Sequence, residues 1–225
     1  MQNIFFAQGN VHQGVLGDHR KNKYVRMKRF LIVCNLILLS ACCLAQADTA
    51  AVNETKRFQG GLRMEYDNPN TSPLSAAAKK NFKGIHFFPF TKKYVVNARF
   101  VRTPKEKPFQ MSTSGGIRKT YIKYAAVFFV IDKKEYKLNV YQSQDLIKSA
   151  EYKDYLFIPF TDATSGDETY EGGRYIDLNI PQSDHIIINF NTAYHPYCAY
   201  TDGYNCPIPP AENRLPVKIE AGVKF

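Results

Sequence analysis

The sequence predicts a mainly β fold, a β-rich α+β class built as a single antiparallel sandwich or partly open barrel with one or two short helices. Three observations lead there. Seven short runs carry the alternation or the aromatic and β-branched enrichment of strands, aromatic residues make up 14% of the chain, and no strand-helix-strand rhythm appears.

The first packed element is a short helix over 75–82, where Ser75 is a good N-cap, Ala76, Ala77 and Ala78 favour helix and Gly84 can end it. Strands follow over 85–88 and 94–102. In the second, Val96, Ala98 and Phe100 alternate with Asn97 and Arg99, which turns one face to a core. Residues 119–131 are rich in Tyr, Ile, Val and Phe. Asp132-Lys133-Lys134-Glu135 then reverses the chain into 136–141, with Leu138 and Val140 facing one way and Lys137 and Asn139 the other, a hairpin pattern. The stretch 143–154 reads either as a second short helix or as a loop. Strands are expected again at 156–160, 174–180 and 185–191, the last two joined through Pro181-Gln182-Ser183-Asp184. There is no internal repeat and no low-complexity tract.

Ahead of this domain, Met27-Lys28-Arg29 opens a stretch with the layout of a bacterial export signal: a positive start, an apolar run over 30–39 broken by Asn35, then small residues. The run is short of the ~20 apolar residues that a membrane-spanning helix needs. Leu39-Ser40-Ala41-Cys42 has the form of a lipoprotein cleavage box, which would leave Cys42 as a lipidated N-terminus. A competing cut at Ala45-Gln46-Ala47 would release a chain beginning at Asp48. A third reading makes 30–44 a buried helix of the domain. Export signals start at the initiator methionine, so Met27 is expected to be the native start and 1–26 a mis-assigned extension. Residues 27–47 are then signal peptide, 48–62 a small, polar tether, and 63–225 one β-rich domain. The implied location is the cell envelope, periplasm or outer membrane, with the protein lipid-anchored or secreted.

Half of the formal charge of +10 sits in residues 1–47. The rest is scattered in pairs such as Lys79-Lys80, Lys92-Lys93, Arg118-Lys119 and Lys133-Lys134, the pattern of solvated turns, so nucleic acid is not an expected partner. Beyond the leader region only Cys198 and Cys206 remain. In an oxidising compartment the pair reads first as a disulfide, with free thiols or a metal site as alternatives. His195 lies close by, yet no CxxC or HxxxH spacing accompanies it, so no metal and no cofactor is expected.

Two segments carry the residue types of chemistry. Residues 161–175 are dense in hydroxyls, carboxylates and glycines. Gly166, Gly172 and Gly173 permit close backbone approach, Thr164, Ser165 and Thr169 offer donors, and Arg174 offers a planar fork for an anion. The bland alternative is a long turn whose Asp162 and Thr164 bond their own backbone while Arg174 pairs with a carboxylate. The second segment, 189–216, holds five prolines between 196 and 216, which exclude regular structure over most of it. His195, Glu212 and Asn213 lie along it and are candidates to line a cleft.

The residues Leu156-Phe157-Ile158-Pro159-Phe160-Thr161-Asp162-Ala163-Thr164-Ser165-Gly166, Thr169-Tyr170, Gly172-Gly173-Arg174-Tyr175 and the ending from Asn189-Phe190-Asn191 to Ala221-Gly222 resemble the domain of unknown function 1684 family of bacteria and archaea. Ser72-Pro73-Leu74 and Phe82-Lys83-Gly84-Ile85 resemble it too, so the likeness covers about 65–222. It implies that the two segments belong to one recurrent site or scaffold and implies no activity. Members of that family tend to carry Asp-Phe-Asn and Asn-Pro before the first cysteine. This chain has Asn189-Phe190-Asn191 and His195-Pro196-Tyr197, which weakens any role for position 189 as a base.

Two functions from different classes follow. One is a non-enzymatic envelope protein that binds a small polar or anionic ligand through Thr164, Ser165, Thr169, Tyr170, Arg174, Glu212 and Asn213, with Tyr175 and Tyr194 as further stacking rings. The other is a hydrolase that uses Ser165, His195 and Asp162 as nucleophile, base and orienting acid, or Asp162 with Glu212 as a carboxylate pair. Ser165 lacks the G-x-S-x-G elbow, which makes this the weaker of the two. A purely structural or interaction module is a third reading.

Overall fold

The computed structural model describes residues 49–225. The expected signal peptide over 27–47, its Cys42 and the extension over 1–26 lie outside the described residues. The chain divides into two units, Met1–Thr49 and Ala50–Phe225, and the account below concerns the second.

The tether expected over 48–62 is instead helix from residue 49, and this helix (α1) runs to 67. Its packing follows a stripe at helical spacing: Ala51, Thr55 and Tyr66 are buried, with Phe58 and Leu62 half-buried between them. Gly60 and Gly61, each costing roughly 1 kcal/mol of helix propensity, disguise that periodicity in the sequence. Tertiary contacts compensate. Asn189 Nδ2 donates to Glu54 Oε2 and to Thr55 Oγ1, each at 3.0 Å, and the Tyr66 ring stacks on Phe82 with centroids 5.4 Å apart.

Helix α2 (Ala76–Asn81) forms where expected: Ser75 caps it by accepting from Ala78 N at 3.1 Å, and Gly84 takes the left-handed φ of 92° just beyond it. Nine strands follow: β1 (His86–Phe87), β2 (Val95–Arg102), β3 (Phe109–Ser112), β4 (Arg118–Ile131), β5 (Lys134–Ser143), β6 (Tyr155–Phe160), β7 (Arg174–Asn179), β8 (His185–Asn189) and β9 (Val223–Lys224). Strands β1 and β9 make a two-stranded ribbon. The remaining seven form an antiparallel half-barrel sheet in the order β7-β6-β5-β4-β2-β8, with β3 pairing β4 off that path.

The β4–β5 hairpin closes through two residues, Asp132 at φ 50° and Lys133 at φ 64°, the doubly left-handed geometry whose twist matches the strands. The β8 strand stops at Asn189, short of residue 191, because the Asn189 side chain caps a 3-10 turn (Phe190–Thr192) by accepting from Asn191 N. The ambiguous stretch after Ser143 contains two 3-10 turns, Leu146–Lys148 and Ala150–Tyr152.

Strand alternation sorts the interior into two clusters on opposite faces. On one face Val96, Ala98, Phe100, Leu138, Val140, Leu156, Ile158 and Ile176 meet the tail residues Leu215, Ile219 and Ala221. On the other, Met111, Tyr121, Tyr141, Phe157 and Tyr175 form a smaller aromatic cluster. Asn139, on the polar side of β5, is only 1% exposed, and the tail residue Asn213 reaches its backbone. Asn213 caps it there, accepting from Asn139 N at 2.8 Å and donating to Asn139 O at 2.9 Å and Pro159 O at 2.7 Å.

Candidate functional site

The hydroxyl-and-glycine segment folds back on itself around a buried ion pair. Arg174 Nη2 meets Asp162 Oδ1 at 3.2 Å, and neither side chain has any exposed surface. Asp162 also accepts from Ile219 N at 2.6 Å and from Thr164 Oγ1 at 2.9 Å, while Thr164 Oγ1 in turn lies 2.9 Å from Thr169 Oγ1. The guanidinium donates onward to the carbonyls of Ile219, at 2.8 Å, and of Ala221. Burial pulls the Arg174 pKa down against the pull of Asp162. The network therefore fastens the 161–175 loop to the tail at 219–223.

This placement corrects the expected ligand set. Thr164, Thr169, Arg174 and Asn213 are all at most 1% exposed and already bonded to protein, so they build the scaffold and do not face a ligand. Ser165 closes a local turn, accepting from Asp162 N at 3.1 Å and donating to Asp162 Oδ1 at 3.4 Å. Of the bland reading of the loop, the pairing of Arg174 with a carboxylate is present, whereas the Asp162 and Thr164 side chains bond other side chains and the distant Ile219 N in place of their own backbone.

His195 is engaged at both ring nitrogens. Nε2 accepts from Tyr170 N at 3.1 Å, which assigns the proton to Nδ1 and the bond from there to Tyr200 Oη, 2.9 Å away. Burial, with Arg174 as a second cause, pulls the imidazole down to about 3, so it is neutral near pH 7. No lone pair is left to take a proton from Ser165. Glu212 has partners of its own, none of them Asp162: Oε1 accepts from Tyr141 Oη at 2.7 Å and Oε2 from Lys123 Nζ at 3.1 Å. Burial pushes the Glu212 carboxyl up, but those hydrogen bonds outweigh it and hold it below its ordinary value.

The two segments nevertheless converge. Tyr175 N and Tyr194 O bond at 2.9 Å, with the reciprocal bond at 3.0 Å, and Thr161 bridges Arg214. At this junction lies a hollow of about 310 Å³ walled by Tyr175, Tyr194, Tyr197 and Tyr204, with Lys119 and Asn205 at its side. A second hollow of about 240 Å³, reached past Tyr170 and Glu171, shares Tyr175, Pro196, Cys206 and Pro207 with the first. Cys198 and Cys206 are joined in a disulfide, which selects that reading of the pair over free thiols or a metal site. It fixes the segment carrying Tyr197 and Tyr204. Of the expected ligand residues Tyr170 lines the second hollow, and the expected stacking rings Tyr175 and Tyr194 line the first. Lys119 reads in the sequence as part of a solvated pair, and Asn205 and Tyr204 carry no local pattern at all.

The family described as Protein of unknown function (DUF1684) matches residues 80–224. The chain belongs to that family. Its members' aligned region thus begins in α2 and takes in the whole sheet, the buried ion pair and both hollows. The solution NMR structure of an uncharacterized protein from Haloarcula marismortui is similar, with a TM-score of 0.63 and 26% sequence identity over 80% of this chain and 97% of that one. The shared mostly β architecture accords with the fold class that the sequence predicts. A comparison with curated proteins finds no match. Among the described residues no group of His, Cys, Asp or Glu is placed to hold a metal ion, and no helix is long and apolar enough to cross a membrane.

Proposed function

We propose that this DUF1684 protein is an exported, lipid-anchored envelope protein whose domain binds a small polar ligand without transforming it, and that the ligand sits in the tyrosine-walled hollow. The observation that carries the reading is the meeting of both singled-out segments at one concave surface of ligand size, about 310 Å³. Export rests on Lys28-Arg29, the apolar run over 30–39 and Leu39-Ser40-Ala41-Cys42. The hydrolase alternative draws no support from His195, whose nitrogens are both engaged, nor from Asp162, which is fully buried.

The test is a screen of small polar compounds by amide chemical-shift mapping on the whole protein. Shifts clustered on 170–175 and 194–207 are expected, together with no turnover of ester or glycoside substrates. Binding that maps elsewhere on the domain, or turnover that Ser165→Ala abolishes, overturns the reading. For the anchor, fatty-acid labelling of expressed protein is expected to vanish in Cys42→Ser, and labelling that persists rejects lipidation at Cys42.

A further inference from the structure

Resting on the hollow as the ligand site, we propose that its ligand is a small carboxylic acid with a ring body, and that Lys119 holds the carboxylate. The four phenols of the wall have already spent their protons on the protein. Tyr194 Oη donates to Asp177 Oδ1 at 2.8 Å, Tyr197 Oη to Glu65 Oε1 at 2.5 Å, Tyr204 Oη to Pro73 O at 3.1 Å, and Tyr175 Oη to Pro207 O. What the rings turn toward the hollow is therefore apolar surface and oxygen lone pairs. They occur as two aromatic pairs, Tyr175 with Tyr194 at 5.8 Å between centroids and Tyr197 with Tyr204 at 4.9 Å, and Pro196 and Pro207 add flat apolar area. Surfaces of this kind suit a rigid ring laid against them.

Two side chains at the wall keep uncommitted donors. Lys119 and Asn205 line the hollow, and among the described residues neither side chain makes a hydrogen bond or ion pair. Lys93, Lys123, Lys148 and Lys218 each have a carboxylate within 3.1 Å, whereas Lys119 stands at a concave wall without one. Lys119 is half-buried beside tyrosine rings and lacks such a partner. A partly desolvated ammonium is a donor-only group, which a carboxylate satisfies and a second cation does not, and the Nδ2 of Asn205 can add a second donor beside it. Asp177, on the same face of β7, does not line the hollow, and its Oδ1 already accepts from Tyr155 and Tyr194.

The experiment is calorimetric titration of the whole protein with glucuronate, N-acetylmuramate and benzoate, each against its uncharged counterpart glucose, N-acetylglucosamine or benzyl alcohol, followed by amide shift mapping. At least one acid is expected to bind about tenfold tighter than its counterpart, the weight of one charged hydrogen bond. Lys119→Met is expected to erase that preference and Lys119→Arg to keep most of it, with shifts confined to 170–175 and 194–207. If the uncharged partners bind the hollow as tightly as the acids, or Lys119→Met leaves the preference intact, the acid assignment fails while the hollow stands. If no probe shifts amides of the hollow, both it and the acid assignment fall.

Discussion

Arg174 and Asp162 meet at 3.2 Å with no solvent contact on either side chain, and each also binds backbone of the tail, so one ion pair joins β7, the preceding loop and the C-terminal segment. The two residues hold together the elements that frame the hollow. Their energetic weight lies in mutual satisfaction, since either charge alone in that position would be uncompensated.

Arg174→Leu is expected to destabilise the protein by about 3–5 kcal/mol, because it strands the Asp162 carboxylate. Urea unfolding followed by circular dichroism checks this. The double replacement Arg174→Leu with Asp162→Asn is expected to cost less than the sum of the two single changes, as coupled neighbours do. Full additivity would show that the pair does not act as one unit.

His195 gives the fold a pH dependence with a definite sign. Its folded pKa, about 3, lies below the unfolded value of 6.5, so the unfolded chain binds the extra proton between the two. The stabilisation is full above pH 6.5 and drains away as pH falls from there toward 3, to a total on the order of a few kcal/mol. Denaturation midpoints at pH 7, 5.5 and 4 are expected to fall less steeply in His195→Gln than in the natural protein. Parallel slopes would exclude His195 as a source of the acid sensitivity.

Reduction of the Cys198–Cys206 disulfide should lower stability by about 2–3 kcal/mol on the chain-entropy estimate for so short a loop. The effect is expected to concentrate at the hollow, since Cys206 lines it, the loop carries Tyr204 and Tyr197 directly precedes it. Hydrogen exchange with and without reductant reads this directly: faster exchange over 197–207 with unchanged protection in β4 and β5 is the expected outcome.

Asn189→Ala removes the bonds that hold the start of α1, to Glu54 Oε2 and Thr55 Oγ1. A loss of about 1–2 kcal/mol is expected, with amides over 50–59 exchanging faster. Unchanged exchange there would mean that the apolar stripe of Ala51, Phe58 and Tyr66 suffices to seat the helix.

Much of the scaffold was legible beforehand, and the reason is local. Alternation in 94–102, the apolar run and polar reversal of the β4–β5 hairpin, and Ser75 before three alanines each specify structure within a few residues, where propensity and period act directly. Strand β3 alternates Phe109 and Met111 with Gln110 and Ser112, but four residues make a weak pattern, and β9 is shorter still. Helix α1 was missed because Gly60 and Gly61 interrupt a stripe whose stability comes from distant partners such as Asn189.

By itself the sequence determined the β-rich class, the order of the main strands, the family and the identity of the two segments that meet. Only the tertiary structure decided what their polar side chains do. A threonine, an arginine or a histidine has the same donors whether it faces a ligand or its own chain. The choice was made by partners far along the sequence: Ile219 for Asp162 and Arg174, Tyr170 for His195, Asn139 for Asn213. Folding spent those groups internally because a buried polar group without a partner costs more than the bond it would otherwise offer a ligand. The same folding left Lys119 and the tyrosine rings to form the hollow.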